Sequence, residues 1–519
     1  MSTPAAKAQL GASVASYSAW NLIAYLVGIA ANILTMPFVL LRLGPTAFGV
    51  AALIQATVAP FTLVAATIGL ATARQLAAAP AGAFGARLDF GASAAVALLA
   101  AVVGTALIAL AGPIIATRFF AITARDAAIL PPAYLIAALG WAATVGTAML
   151  QALYIATRDY RRLAHIGAVA AIVTAAVIFV LVSRSPSVVG YLGALTIGFW
   201  LVLIAWVIAS VTEKRPLLGA PHWDPVRLRA LGQFSGWQIA AQLSGIASIQ
   251  ADRYLLGAYT RPADVAYYSV AQRLEEVAYI GVSKAGEVLL PVFSAEANSA
   301  RTRQANLYFR AAWILNLLAA CMLGPLLPLS EDILRVWTNA AIAHEAQRVL
   351  FILALGGMLG CAVNALAFFT MGMAKTHLNF ILAVATATIS VACSAVLLPR
   401  YGLAAAGVGT VMAMAAQLIA GIVISERLFG DGRFRRQFFA VIEPLGLAIV
   451  IGSLLRYTGI LPHPSDWAGL IGLSAGVAVA IAAAIMATTY LSSHGARSRG
   501  DLAVIVTRLV PARLLRPAH

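Results

Sequence analysis

"SAWNLIAYLVGIAANILTMPFVLLRLGPTAFGVAALIQ", residues 18–55, lies over "SGWQIAAQLSGIASIQADRYLLGAYTRPADVAYYSVAQ", residues 235–272, without a gap. The identities are Ser18/Ser235, Trp20/Trp237, Ala24/Ala241, Leu26/Leu243, Gly28/Gly245, Ile29/Ile246, Ala30/Ala247, Pro45/Pro262 and Gln55/Gln272. Alanine is common in this chain, so the weight falls on the paired Trp, Pro and Gln positions. Each copy is a long apolar run followed by a Pro-containing turn and a second run. The chain therefore carries an internal repeat, and a repeat sets the architecture before any single element does.

Composition says what is repeated. Apolar residues make up 61% of the 519, charged residues 10%, and the mean hydropathy is +0.90. Soluble domains carry roughly a quarter charged residues, and here too few polar side chains remain to cover a water-facing surface. The chain reads as an all-α integral membrane protein. About 20 mainly apolar residues cross a bilayer. That ruler predicts fourteen spans, near 16–40, 46–71, 89–112, 130–156, 163–183, 187–211, 230–257, 264–293, 308–328, 346–372, 377–398, 402–426, 437–457 and 466–491. "SRSPS" and "PRYG" are read as the breakers near 184–187 and 399–402. The longest loops fall near 212–229 and 329–345, so no soluble domain is inserted.

The net charge of +16 points to topology rather than nucleic acid, because the basic residues stand singly or in small clusters between apolar runs. With the N-terminus inside, 23 Lys and Arg fall on the inner side and 9 on the outer. Both termini are thus expected in the cytoplasm. The first and seventh spans then cross in the same direction. The repeat is parallel, a pseudo-twofold about the membrane normal. It gives an N-terminal lobe at 1–215 (spans 1–6), a C-terminal lobe at 216–430 (spans 7–12), two appended spans at 431–492, and a basic cytoplasmic tail at 493–519. The tail reads either as an interfacial helix on anionic lipid or as a solvated end.

Several chemistries find no footing. Cys321, Cys361 and Cys393 lie in apolar runs without metal-ligand spacing, "HEAQR" at 344–348 lacks a second histidine, and no Walker A loop occurs. The first apolar run reads as a retained helix rather than a removed signal peptide. No outer loop is long enough to hold a catalytic apparatus, so an enzyme is not expected.

Polar residues instead gather on helix faces. In span 1, Ser18, Asn21, Tyr25, Gly28, Asn32 and Thr35 share one arc, and in span 7 Ser235, Gln238, Gln242, Gly245 and Asp252 do the same, with Arg253 at the edge. The repeat equates Asn21 with Gln238, Tyr25 with Gln242 and Thr35 with Asp252. In span 8, Arg273, Glu276, Lys284 and Glu287 occupy a second narrow arc, while Glu275 points elsewhere. A charge at the bilayer centre costs roughly 2.5–3.5 kcal/mol even on lenient scales, so these side chains must face protein or water. Two readings remain open and can coexist. One is ion pairing at i, i+3, Arg273 with Glu276 and Lys284 with Glu287. The other is a solvated wall suited to a ligand bearing phosphate and hydroxyl groups. Gln151 and Asn364, isolated in apolar runs, are expected to join helices.

"RLGPTAFGV" (42–50) and "ADRYLLGAYTRPADVAYYSVAQRL" (251–274) resemble the corresponding junctions of bacterial polysaccharide exporters, the Wzx-type O-antigen and exopolysaccharide flippases of the multidrug/oligosaccharidyl-lipid/polysaccharide (MOP) superfamily. The resemblance implies a MATE/MOP-like fold in the bacterial inner membrane. It implies alternating-access flipping of an undecaprenyl-diphosphate-linked oligosaccharide from the cytoplasmic to the periplasmic leaflet, for O-antigen, capsule or exopolysaccharide. Implied partners are the lipid-linked glycan, the bilayer, a polysaccharide polymerase and a chain-length regulator, with no nucleic acid. Arg273, Lys284 and Arg253 would then meet phosphate or acidic sugar, and Asn21, Tyr25, Gln238 and Gln242 the sugars. Asp252, Glu276 and Glu287 would pair with these bases or carry a coupling ion, H+ or Na+; no other cofactor or metal is implied. Fourteen spans, where many Wzx-type proteins have twelve, keep a lipid II flippase as an alternative. A MATE-type cation-coupled drug exporter is the other.

Overall fold

The structure, a computed structural model, describes residues 26–78, 83–227, 229, 250–430 and 434–491. Among them thirteen helices are long and apolar enough to cross a membrane, from Leu26–Leu43 to Trp467–Leu491. The protein is a multi-pass, all-helical membrane protein. The thirteen fall where thirteen spans were expected. The remaining expectation, 230–257, lies mostly outside the described residues, and only its end appears, as helix over 250–259.

The helices are labelled α1 (Leu26–Leu43), α2 (Pro45–Ala78), α3 (Ala83–Phe119), α4 (Leu130–Ala156), α5 (Tyr160–Arg184), α6 (Val188–Glu213) and α7 (250–259). There follow α8 (Pro262–Glu287), α9 (Leu289–Ala295), α10 (Arg301–Leu323), α11 (Ser330–Trp337), α12 (Ala340–Cys361), α13 (Asn364–Gly372), α14 (Thr376–Tyr401), α15 (Val408–Phe429), α16 (Glu443–Thr458) and α17 (Trp467–Leu491). One local expectation needs correction and another can be sharpened. The 329–345 stretch is not all loop, because α11 forms within it and buries Ile333, Leu334 and Trp337. "PRYG" does break the helix, at its glycine rather than its proline: α14 runs through Pro399 to Tyr401, Gly402, at φ +55°, opens a 3-10 turn, and Gly407, at φ +83°, precedes α15. Proline near a helix end deletes only one internal bond, whereas positive φ stops the helix outright.

The described residues form two compact units. One takes the chain up to Val270 with Ser390–Ala406; the other takes Ala271–Ile389 and the chain from Gly407. In the first, α4 is the central helix, with Tyr134, Trp141 and Tyr154 fully or almost fully buried. Gly112 and Gly104 on α3 face the rings of Tyr134 and Trp141, where any side chain would overlap them. Small residues let two backbones approach in lipid, where close packing replaces the hydrophobic drive. The Tyr134 hydroxyl donates to Thr57 on α2 at 3.1 Å, and Tyr154 packs edge-on to Trp206 of α6 at 5.0 Å between centroids. Each aromatic pair of this kind adds about 0.5–1.5 kcal/mol. Large exposed apolar side chains such as Leu110 and Val102 lie on the outside, as lipid contact allows.

Beyond α6 the chain runs back over the start of α3. Arg227 pairs with both Asp89 on α3 and Asp224, the His222 N–H donates to the Gly91 carbonyl at 3.3 Å, and Gly219 sits so close to Arg87 that a Cβ would strike its carbonyl. Residues 214–227 are therefore a strap, fastened at several points.

In the second unit α10 is the centre. Tyr308 stacks on Phe429 at 5.0 Å and meets Phe309 and Phe369 at 5.1 and 5.6 Å. Asn316, fully buried, donates to the Ala440 carbonyl at 3.1 Å. Ala440 lies in a π-helical turn, Phe438–Ile442, whose wider winding frees carbonyls for side-chain donors. Arg456 on α16 donates to Ser330, to the Leu327 carbonyl and to Gln347, tying α11, α12 and α16 together.

Candidate functional site

Asn21, Tyr25, Gln238 and Gln242 lie outside the described residues. What is described of span 1 includes Asn32 and Thr35, which donate to the carbonyls of Gly28 and Ala31 on their own helix. The remaining expected site residues fall in two patches, one in each unit.

The first patch is built around Asp252 on α7, only 1% exposed. Its carboxylate accepts from the Ser394 hydroxyl on α14 at 2.5 Å and from the Tyr268 hydroxyl on α8 at 3.1 Å. A buried carboxylate needs such donors, since burying it without them costs several kcal/mol. Next to it in sequence, Arg253 donates to Gln250 at 3.2 Å. Tyr254 reaches the Ala56 carbonyl on α2 at 2.7 Å. Polar residues of α7 are thus tied to three other helices.

The second patch is the later part of α8. Arg273 pairs with Glu276 at 2.9 Å and Lys284 with Glu287 at 2.7 Å, both at i, i+3. The two pairs stand on one stripe of the helix, as its 3.6-residue period dictates. Their side chains are partly exposed, 36% and 41% for the first pair and 47% and 53% for the second. Each base thus holds an acid while keeping part of its surface open. A guanidinium offers five N–H donors in a fork that matches a carboxylate or phosphate, and an ammonium three.

The other side of α8 is used for packing. Glu275 lies against Gly357 on α12, at a spot where a Cβ would overlap its carboxylate. One turn on, the Tyr279 hydroxyl donates to Asn364 of α13 at 3.5 Å, the helix-joining role expected of Asn364. Gly360 meets the Tyr279 ring, and Gly286 meets Phe368. Small residues on α12 and polar ones on α8 thus set how these helices seat.

Sequence reasoning did not find Ser394, Tyr268 or Gly357 as partners. Serine in an apolar helix usually bonds its own backbone, so nothing in "SVACSAV" marks Ser394 as a donor to a distant carboxylate. The two ion pairs, by contrast, are written in the spacing.

A family model described as a polysaccharide biosynthesis protein matches residues 12–297. No curated protein matches the sequence. Among solved structures, the chain is similar to the lipid II flippase MurJ in an inward closed conformation, with 12% identity and a TM-score of 0.70 over 91% of this chain and 98% of that one. It is also similar to an inward-facing multidrug resistance MATE family transporter of the MOP superfamily, with 13% identity and a TM-score of 0.65 over 78% of this chain and 98% of the other. A MOP superfamily transporter from Pyrococcus furiosus matches with 14% identity and a TM-score of 0.55, over 82% and 96%. These likenesses establish the fold as that of the MOP superfamily.

Proposed function

The chain belongs to the polysaccharide biosynthesis protein family, and from that premise we propose that it is a Wzx-type flippase of an undecaprenyl-diphosphate-linked oligosaccharide. The cargo would move from the cytoplasmic to the periplasmic leaflet by alternating access of the two six-span lobes, with both termini in the cytoplasm of a bacterial inner membrane. The observation that carries this reading is the stripe of two half-exposed ion pairs on α8, Arg273–Glu276 and Lys284–Glu287, inside a membrane-spanning helix. The physics of the cargo supports it. A hydrophilic anionic head cannot cross hydrocarbon, whereas a polyprenyl tail never needs to leave it. Arg273 and Lys284 would take the diphosphate by charge-assisted hydrogen bonds, and Glu276 and Glu287 would hold those bases when the cargo is absent. Asp252 would be either an anchor of the first unit or the site of a coupling cation.

The likeness to MurJ over 91% of this chain favours one second reading, transport of lipid II. The test reconstitutes the protein in liposomes carrying a labelled polyprenyl-diphosphate oligosaccharide or lipid II, and follows the label's loss of accessibility to an external reagent. Protein-dependent movement of the oligosaccharide supports the proposal. Movement of neither lipid under inward- and outward-directed H+ and Na+ gradients overturns it.

A further inference from the structure

The strap 214–227 has an inverted polarity, with charged groups tied to the protein and large apolar ones turned out. Lys214 lies 3.5 Å from Asp159, the N-cap of α5, and over the Tyr154 ring at 5.1 Å. Arg227 pairs with Asp89 and Asp224, and its carbonyl accepts from the Gln75 amide on α2 at 3.2 Å. Yet Trp223 is 67% exposed and Val226 80%. The backbone between them is fixed, because the Asp224 carboxylate accepts from the Val226 and Arg227 N–H groups at 3.0 and 3.3 Å. Turning either side chain inward would undo these bonds, so their exposure is built in.

Helix lengths place the strap at the edge of a bilayer. The span Phe84–Phe119 has 36 residues, about 54 Å at 1.5 Å per residue. The hydrocarbon is about 30 Å thick, and about 40–45 Å with its headgroups. Arg87 and Asp89, in the first two turns of α3, mark that start as lying outside the hydrocarbon. The strap is fastened there, Gly219 against Arg87 and His222 to Gly91. Phe84, 76% exposed, opens the same end, and α6 finishes at Glu213, immediately before the strap. Tryptophan favours this zone, since its ring is apolar and its N–H polar.

The charge around the strap selects the kind of surface. Asp89 and Asp224 are paired with Arg227, Asp159 with Lys214 and Glu213 with Arg162. Arg87, Arg158 and Arg215 are exposed at this end, and bases beside a bilayer are drawn to anionic headgroups. An apolar protein groove would match Trp223 and Val226 and leave these arginines unanswered.

We propose that the strap is an interfacial anchor, inserting Trp223 and Val226 at the boundary between headgroups and acyl chains of an anionic lipid surface, with Arg87, Arg158 and Arg215 on its phosphates. The inference stands on the strap and is independent of the transport reading. Such an anchor fixes the chain leaving α6 in depth as well as against α3.

The experiment uses the full purified chain in nanodiscs of phosphatidylcholine, alone or doped with phosphatidylglycerol. Subtracting the emission of Trp223→Phe from that of the wild type isolates Trp223 among nine tryptophans. Acyl chains brominated just below the headgroups should remove most of that difference signal. Acrylamide in the water should quench it weakly, and more weakly still with phosphatidylglycerol present. Arg87→Gln/Arg215→Gln should abolish the phosphatidylglycerol effect and leave thermal unfolding unchanged. Quenching by acrylamide and not by bromolipid would put Trp223 in water, open to a soluble protein, and overturns the proposal. Protection that is equal in both lipid compositions, or that ignores the arginine substitutions, overturns the assignment to an anionic surface. If Trp223→Phe fails to accumulate, Val226→Cys carrying an environment-sensitive fluorophore, with labelled wild type as the blank, must show the blue shift of an apolar setting. Emission from that label as in water overturns the proposal.

Discussion

The carbonyl of Pro262 occupies the space that a Cβ on Gly49 would need. Pro262 opens α8 and Pro45 opens α2, so the two repeat-equivalent prolines begin equivalent helices, where a missing N–H costs nothing. Gly49 lies one turn into α2 and lets that turn seat on the start of α8. The repeat is thus visible as a packing contact as well as a pattern of letters. Gly49→Ala should cost about 1–3 kcal/mol through forced displacement, read as a drop in the unfolding temperature of the detergent-solubilised protein. Gly28→Ala, where nothing lies within 4 Å, is the neutral control. Equal behaviour of the two variants would contradict the contact.

Glu275 and Gly357 make a second tight pair, and their coupling is measurable. Gly357→Ala should destabilise by about 1–3 kcal/mol because the new methyl meets the Glu275 carboxylate. Shortening the acid in Glu275→Ala/Gly357→Ala should recover part of that loss, a non-additivity of about 0.5–3 kcal/mol. Strictly additive unfolding temperatures would show that α8 and α12 do not meet there.

The α8 pairs should matter to transport more than to folding. Half-exposed ion pairs contribute about 0–1 kcal/mol, so Arg273→Ala and Lys284→Ala should accumulate normally. Each should cut flipping of a labelled lipid-linked oligosaccharide at least about tenfold, the loss of one charge-assisted contact. Wild-type flipping by the double variant would remove this stripe from the mechanism.

Around Asp252 the order reverses, because this carboxylate is buried and its partners are structural. Ser394→Ala or Tyr268→Phe should each cost about 1–3 kcal/mol by removing one hydrogen-bond donor from a buried carboxylate. Ser394→Thr keeps the hydroxyl and should cost less than Ser394→Ala. Thermal unfolding in detergent distinguishes them, and no loss for Ser394→Ala would deny the hydrogen bond a role.

Asp224 makes the strap sensitive to acid. The Arg227 N–H holds its carboxyl below the usual carboxylate value, helped by the Val226 N–H and the Arg227 guanidinium. A depressed value means the contribution is present above the ordinary ~3.9 and is lost as pH falls through the lowered one. Hydrogen-exchange protection of the Val226 and Arg227 amides, corrected for intrinsic rates, should fall only on acidification below that range. Asp224→Asn should remove the pH dependence. Protection unchanged through the acid range would exclude the bond.

How much of this was readable in advance follows the range of each interaction. Span positions depend on local hydropathy, and Leu130–Ala156 was found to the residue. The i, i+3 pairs of α8 depend on a helical period and were equally legible. α11 was missed because eight residues with two acids and a base read as loop until its Ile333, Leu334 and Trp337 face finds a partner. Glu275 against Gly357 and Ser394 on Asp252 join positions 82 and 142 residues apart, and no local pattern encodes which of many small or hydroxylic residues lies opposite.

The fastened segment 214–227 bears on how this protein can be cut and recombined. A swap of the first six spans with those of a relative should carry residues 214–227 along, since its buttons are on α3 and would otherwise be left with foreign buttonholes. A splice placed immediately after Glu213 would sever Arg227 from Asp89 and yield a graft that is correct in its spans and undone at its seam.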